Sequence, residues 1–267
     1  MIILIPMAGA GSRFSERGYK VHKPAIPTTD RRTGRKVPMV AAATMDIPGQ
    51  EDPSNRIIYI DRDFHKNDGV EAVIHQHYPR AEFITLDHLT EGQAATCLLA
   101  KDHINTDEEL IIAGCDNGMV VNRDVFDRER QACDMLVFTY RNNPAVLAKP
   151  EAYGWCIIDD KNFVTRMSVK KPISTTPMKD HAVVATFWFK HGRDFVRATE
   201  KLIRENDRIN NEFYVDKVID HAIDLGLKVK VFEIDRYLGW GTPKDYEEYE
   251  ATLEYWKGFL NELNKQK

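Results

Sequence analysis

The chain has 267 residues and a formal net charge of -4, and 29% of its residues are charged. This composition excludes an intrinsically disordered chain and is typical of a packed core with a polar surface. The slightly acidic balance gives no electrostatic basis for nucleic-acid binding. No apolar stretch reaches the length of a membrane span, so we expect no membrane partner.

The first half of the chain alternates short apolar strands with helices. Predicted strands cover residues 2–6, 56–61, 81–86 and 109–113, and predicted helices cover 70–77 and 93–103. These strands lack polar alternation, which is typical of parallel strands buried on both faces. Ligands bind at the carboxyl ends of such strands, so we expect the loops at 7–14 and 114–118 to converge on one crevice.

The second half is richer in strands. Predicted strands cover 134–140, 155–159, 163–169, 182–189 and 228–234, and predicted helices cover 192–205, 212–225 and 243–264. The last helix has a clear start, since Thr242 can cap it, Pro243 fits its first turn and Asp245 completes a capping pattern. No linker is rich in Pro, Gly or Ser, so we expect a single domain over residues 1–267.

The four cysteines form no CxxC pair, which disfavours a zinc knuckle or a redox motif. They are Cys97, Cys115, Cys133 and Cys156. Cys115 and Cys156 lie in apolar runs, where buried thiols are usual. We therefore expect reduced cysteines and a cytoplasmic protein.

The loop after the first strand, residues 7–14, carries the strongest chemical signal. Its small residues let the backbone approach a ligand, and successive N–H groups can form an anion-binding nest. Arg13 adds a planar cation suited to phosphate, and Lys23 can add a second. A Walker loop is excluded because no Gly-Lys-Ser/Thr follows, and Phe14 replaces the third glycine of the dinucleotide fingerprint. A purely structural turn is the alternative.

Asp116 follows the fourth predicted strand of the first half. A carboxylate at the end of an apolar strand is costly unless it is paired or metal-bound. Magnesium favours one or two carboxylates together with phosphate oxygens and water. Asp-Asn-Gly is also a turn sequence, so a simple turn aspartate is the alternative.

The order of several short motifs resembles the sugar-phosphate nucleotidyltransferase family. The motifs are PMAGAGSRF at 6–14, Lys23-Pro24, EGQAA at 91–95, GCDN at 114–117, Tyr153-Gly154, Lys171-Pro172, NEFY at 211–214 and GWGTP at 239–243. The resemblance implies an α/β fold of GT-A type, three-layered and Rossmann-like, whose mixed, mostly parallel sheet has helices on both faces. It also implies transfer of a nucleoside monophosphate from an NTP to a sugar phosphate, with release of pyrophosphate, in capsule or other surface-glycan synthesis.

The resemblance also implies a role for individual residues. It implies that Arg13 and Lys23 are catalytic and that Asp116 and Asp235 bind Mg²⁺. The implied nucleotide-binding residues are Ala8, Gly9, Gly11, Ser12, Gly92 and Gln93. The implied acceptor-binding residues are Tyr153, Gly154, Lys171 and Glu212. Residues 1–130 would form the nucleotide-binding half and residues 131–267 the acceptor-binding half. The implied partners are an NTP and a phosphorylated small molecule. The resemblance is also compatible with a homo-oligomer.

Three features depart from the family pattern. Gly239 stands where many relatives have an aspartate, so Asp235 and Asp216 are the candidates for the second metal carboxylate. Lys170-Lys171-Pro172 replaces the usual Glu-Lys-Pro. A polar insert at residues 28–36 is either a mobile lid or a contact between subunits.

Three other functions stay open at this point. One is a cytidylyltransferase for a non-sugar phosphomonoester, such as a phosphocholine-like or phospho-amino-acid acceptor. A glycosyltransferase of GT-A type is disfavoured because residues 116–118 are not a DxD motif. A non-catalytic nucleotide sensor is the third, because the second metal carboxylate is not evident.

Overall fold

A computed structural model describes residues 1–265 of the chain. Its strands are β1 Ile2–Pro6, β2 Pro27–Thr29, β3 Lys36–Pro38, β4 Arg56–Arg62, β5 Glu82–Leu86, β6 Leu110–Ile112, β7 Asn117–Val120, β8 Met135–Tyr140, β9 Gly154–Ile158, β10 Val164–Val169, β11 His181–Phe189, β12 Val229–Glu233 and β13 Arg236–Gly239. Its α-helices are α1 Ser12–Glu16, α2 Met39–Thr44, α3 Asp63–Asn67, α4 Val70–His75, α5 Gln93–Leu98, α6 Lys101–Ile104, α7 Arg123–Glu129, α8 Ala145–Ala148, α9 Gly192–Arg204, α10 Val215–Asp224 and α11 Pro243–Lys265.

Nine strands form one mixed sheet. Its main path is β10-β9-β11-β6-β1-β4-β5, and β8 joins β11 to β12. Strands β6, β1, β4 and β5 are parallel, whereas β11 runs antiparallel to β6, β8 and β9. These four strands are the ones predicted for the first half; β1, β4 and β6 are buried on both faces, whereas the edge strand β5 is only partly buried.

Two apolar clusters cover the two faces of the sheet. Ile2 and Leu4 pack into one cluster with α5, α9 and α10, and Ile3 and Ile5 pack into the other with α2, α4 and α7. Each aliphatic side chain buried in this way contributes about 1.5–3 kcal/mol. The predicted three-layer α/β fold is confirmed.

Several predicted elements need correction. The predicted helix at 93–103 is divided into α5 and α6, and the helix predicted from residue 212 begins at Val215. The sequence pattern also missed two short ribbons, β2–β3 and β7–β13. The cysteines are free thiols, as expected. Among residues 1–265, no helix combines the length and apolar character that crossing a membrane requires.

The polar insert is a hairpin packed on the last helix. The N–H and hydroxyl of Thr29 donate to Glu250 at 2.8 and 2.6 Å. The hydroxyls of Tyr246 and Tyr249 donate to the carbonyls of Pro27 and Thr29 at 2.7 and 2.6 Å. These contacts within one chain argue against the mobile-lid interpretation.

Candidate functional site

A cavity of about 370 Å³ opens at the carboxyl ends of β1 and β6. We call it the central cavity. Its lining includes Met7, Ala8, Gly9, Gly11, Lys23, Gly92, Gln93, Cys115, Asp116, Ala185 and Glu212. The predicted convergence of the loops at 7–14 and 114–118 on one crevice is confirmed.

An ion pair between Lys23 and Asp116 lies in the wall of this cavity. The Lys23 Nζ donates to Asp116 Oδ2 at 2.6 Å and to the Gly241 carbonyl at 3.0 Å. The two side chains are 16% and 34% exposed. Burial lowers the pKa of Lys23, but attraction to Asp116 outweighs it, so the pKa lies above its ordinary value. Lys23 is therefore a fixed, partly desolvated cation.

The loop between β1 and α1 leaves the cavity open to a ligand. Gly11 has φ +62°, and a side chain there would approach the Lys23 Cβ to 3.2 Å. Nothing lies within 4 Å of the position that a Cβ of Gly9 would take. Ala8 is buried, whereas Gly9 and Ser12 are exposed. The small residues thus expose backbone rather than side chains.

Arg13 lies beside the cavity rather than in its lining. Its side chain is exposed, and it has no hydrogen bond or ion pair with any residue between 1 and 265. It lies near both Lys23 and Lys170. Burial lowers the pKa of Lys170 and repulsion from Arg13 adds to that effect, whereas at Lys23 the same repulsion is outweighed by Asp116. Arg13 therefore lies near two other cations, of which Lys23 lines the cavity.

Gly92 joins the two halves of the chain by close backbone approach. It has φ +123°, and a Cβ there would lie 2.6 Å from the backbone N and O of Phe213. The Phe213 N–H donates to the Glu91 carbonyl at 2.8 Å, and the Ala94 N–H donates to the Phe213 carbonyl at 2.9 Å. Gln93 lies next to this crossing and lines the cavity. Its amide has no hydrogen bond with a described residue.

A second group of predicted residues lies where β9 meets α10. A Cβ at Gly154 would lie 2.1 Å from Asp216 Oδ2, so only glycine fits there. Burial raises the pKa of Asp216 to about 6, and Lys170 partly offsets that effect. Glu212 contributes to the central cavity from the same side of the fold. The hydroxyl of Tyr153 donates to the Ala145 carbonyl at 3.3 Å, away from this cavity.

Lys170, rather than the predicted Lys171, lies near Asp216 and Glu212. Lys171 is exposed and borders a surface groove with Arg166 and Pro172, not the central cavity. Lys170 has φ +60°, which turns the two successive side chains apart. Its Nζ donates to the Ala152 carbonyl at 2.5 Å and lies 5.2 Å from the centre of the Tyr214 ring.

The structure does not bring Asp235 to Asp116. Register in the β7–β13 ribbon pairs Gly239 with Asn117 and Arg236 with Val120. Asp235 is exposed and lies four residues before Gly239, about 14 Å along an extended chain. The prediction that Asp235 is a second metal carboxylate therefore has no geometric support.

Sequence reasoning missed Ala185, which enters the cavity from β11. Ala185 has φ +58°, and the pairing of β11 with β8 shifts register between Val183 and Phe187. Such a bulge turns the backbone of a strand toward a neighbouring site. No sequence pattern marks this position, because alanine does not favour the left-handed region.

Comparison with known proteins identifies the fold. No family model matches the sequence, and the search of curated proteins found no match either. Three similar solved structures are a nucleoside-diphosphate-sugar pyrophosphorylase from Vibrio cholerae RC9 (20% identity, 92% of this chain and 98% of that chain, TM-score 0.74), an inositol-1-phosphate CTP transferase from T. maritima (12%, 93% and 93%, 0.67) and a UDP-glucose pyrophosphorylase complexed with UDP-glucose (14%, 96% and 98%, 0.66). The chain therefore has the fold that these structures share over nearly their whole length.

Proposed function

We propose that the chain transfers a nucleoside monophosphate from an NTP to a sugar phosphate and releases pyrophosphate. The observation that carries this proposal is the Lys23–Asp116 pair in a cavity bordered by the open backbone of residues 8–11. Two of the similar structures are pyrophosphorylases named for nucleotide sugars, which supports a sugar phosphate as the acceptor.

In this proposal the first loop and its cations bind the triphosphate. The backbone N–H groups of residues 8–11 receive phosphate oxygens, since no side chain covers Gly9. Arg13 has no side-chain partner among residues 1–265 and holds the departing pyrophosphate. Lys23 lies by the α-phosphate, where charge shifts as the bond breaks. Fixed cations in a partly desolvated site stabilise that transition state.

Asp116 is the residue that would hold Mg²⁺. Among residues 1–265, no group of three His, Cys, Asp or Glu side chains could bind a metal. One carboxylate still fits, because magnesium is commonly held by one or two carboxylates together with substrate phosphates and water. When bound, the ion neutralises phosphate charge.

The two halves of the chain would then divide the substrates. Residues 1–130 would bind the nucleotide, with the free amide of Gln93 reading the edge of the base. Residues 131–267 would bind the acceptor, whose phosphate oxygen attacks the α-phosphorus in line. Lys170 and Glu212 border that side. Positioning accounts for much of the rate in such a reaction, because no covalent intermediate with the protein is needed.

A cytidylyltransferase for a non-sugar phosphate is the second candidate. The inositol-1-phosphate CTP transferase shares the fold, which shows that this architecture is compatible with a non-sugar acceptor. The site described above accommodates either reaction, and the choice of acceptor separates them.

The test is pyrophosphate release with Mg²⁺, using ATP, GTP, CTP, UTP and dTTP against sugar 1-phosphates and other phosphomonoesters. We expect release with one NTP and one acceptor, and a fall of about 100-fold or more in Lys23→Met. Arg13→Ala should lose turnover but not its fold. Arg17→Ala is the matched control, since Arg17 lies beyond the loop and bonds Glu247. NTP binding without release from any pair would favour the sensor interpretation.

A further inference from the structure

A second cavity of about 270 Å³ lies beside the ribbon that carries Gly239. We call it the tyrosine cavity. Its lining includes Asn143, Tyr153, Tyr237, Asp245, Glu248 and Tyr249, and within the part of the chain that the structure describes no lysine, arginine or histidine lines it. Aromatic rings and carboxylates without a cation make an environment that favours positive charge.

Two of the rings form a fixed corner. Tyr237 stacks on the buried Tyr140 with ring centres 4.3 Å apart and planes 1° from parallel. Tyr153 stands at 82° to Tyr140. Because Tyr140 and Tyr237 are parallel, the planes of Tyr153 and Tyr237 are nearly perpendicular. Aromatic rings around a cavity bind an ammonium group by cation–π attraction when the cation lies over a ring face.

Asp245 supplies negative charge to this corner. Its Oδ2 accepts from the Thr242 hydroxyl at 2.7 Å, and no described residue donates to Oδ1. Burial raises the pKa of Tyr153 and of Tyr237, and Asp245 adds to both effects, so the phenols are neutral at pH 7. Glu248 also lines the cavity, and its partner Lys244 lies 3.7 Å away on the exposed surface.

The segment around Gly239 and Gly241 lies next to both cavities. Gly239 pairs with Asn117, which follows Asp116, and the Trp240 N–H donates to the Asp116 carbonyl at 3.0 Å. A Cβ at Gly241 would lie 3.5 Å from Asp116 Oδ2. Gly239 lines the tyrosine cavity, and Asp116, which precedes its strand partner Asn117, lines the central cavity, so the two cavities border the same pair of strands.

We propose that the tyrosine cavity binds an ammonium group of the acceptor, so that the substrate class is a small phosphate ester carrying a primary or quaternary ammonium. This inference rests on the proposed function, in which the acceptor phosphate attacks the α-phosphorus of the NTP beside Lys23. A neutral group in the same place forgoes the attraction of the rings and of Asp245.

Matched acceptors test the proposal through turnover. One pair is glucosamine 1-phosphate and glucose 1-phosphate; the other is phosphocholine and its uncharged analogue 3,3-dimethylbutyl phosphate. Cation–π attraction is worth about a threefold to thirtyfold preference, which we expect in kcat/KM for the charged member of one pair. The pair that shows it distinguishes an amino sugar from an alkylammonium acceptor. Equal kcat/KM within both pairs would overturn the proposal.

Binding of choline alone, followed by NMR, gives a readout that needs no turnover. Tyr237→Leu and Asp245→Asn should each weaken it about threefold or more, whereas Tyr237→Phe keeps the ring and should retain it. Glu247→Gln is the matched control, since Glu247 lies on the same helix and contacts Arg17 and Tyr19 instead. Equal loss in Tyr237→Phe and Tyr237→Leu, or no binding to the unaltered protein, contradicts the proposal.

The two readouts separate the two ideas. Choline binding that depends on the Tyr237 ring, without pyrophosphate release from any acceptor, supports the ammonium site and contradicts the proposed function. Release that is indifferent to acceptor charge, with no choline binding, supports the proposed function and contradicts the ammonium site.

Discussion

Asp61 is a buried carboxylate in β4, and we expect Asp61→Asn to stabilise the protein above pH 6. Its exposed fraction is 0%, and neither carboxylate oxygen has a hydrogen-bond partner among residues 1–265. Its cross-strand neighbour Thr85 donates its hydroxyl to Glu71 instead, at 3.3 Å. An ionised carboxylate in this environment is costly, because it has lost water without gaining a partner.

The size of the effect follows from the pKa. Burial raises the pKa of Asp61 from 3.8 to about 6; the nearby Glu71 adds to the rise and Lys66 opposes it. Below pH 3.8 the group is neutral in the folded and the unfolded chain, so folding carries no penalty. As the pH rises through 6 the penalty becomes complete, and it amounts to about 3 kcal/mol. Asparagine cannot ionise, so the Asp61→Asn variant does not incur this free-energy penalty.

Urea unfolding at pH 4, 6 and 8, followed by circular dichroism, measures this difference. The variant should be more stable than the parent by about 2–3 kcal/mol at pH 8, and the advantage should shrink toward zero at pH 4. In thermal unfolding that corresponds to about 2–4 °C per kcal/mol. Asp63→Asn, at an exposed neighbour, is the control and should change little. An advantage equal at pH 4 and 8, or none at pH 8, refutes the reasoning.

Three further variants probe the site and its surroundings. Gly92→Ala should lower stability by about 1–3 kcal/mol in thermal unfolding because of its positive φ and close backbone neighbour, whereas Gly9→Ala, with open space around it, should not. Asp116→Asn removes the charged partner of Lys23, so calorimetry in EDTA should show that the variant binds NTP at least as tightly as the parent. Its Mg²⁺-dependent turnover should be lost. Glu250→Gln should lower the free energy of unfolding by about 1–2 kcal/mol and speed hydrogen exchange at residues 27–38, because it weakens three contacts to the hairpin.

The parallel strands could be predicted from the sequence because burial on both faces leaves a plain signature. An uninterrupted apolar run such as residues 2–6 has no polar face, and a glycine-containing loop ends it. Lys23 and Asp116 could each be identified from the motifs around them. Their contact, across 93 residues of sequence, could not be predicted without the strand order, because the pairing of β1 with β6 is what brings the two loops together.

The features of the site that the sequence did not predict depend on strand register and backbone conformation. The β7–β13 ribbon joins two four-residue strands far apart in the chain, and its register alone places Asp235 away from Asp116. One positive φ at Lys170 turns two adjacent lysines apart, so that Lys170 and not Lys171 lies near Glu212. Asp61 ends an ordinary strand pattern, and nothing in the pattern shows that its carboxylate lacks a partner.

The Lys23–Asp116 pair also explains how a buried charge can be ready for a ligand. In the structure each member neutralises the other, while Arg13 has no partner among the described residues. In the proposed reaction the phosphates take Lys23 and the metal takes Asp116, so both groups exchange one charged partner for another. The desolvation of these two side chains is completed during folding, and binding does not repeat it. Preorganised charge of this kind is what stabilises a phosphoryl-transfer transition state without reorganisation at the moment of reaction.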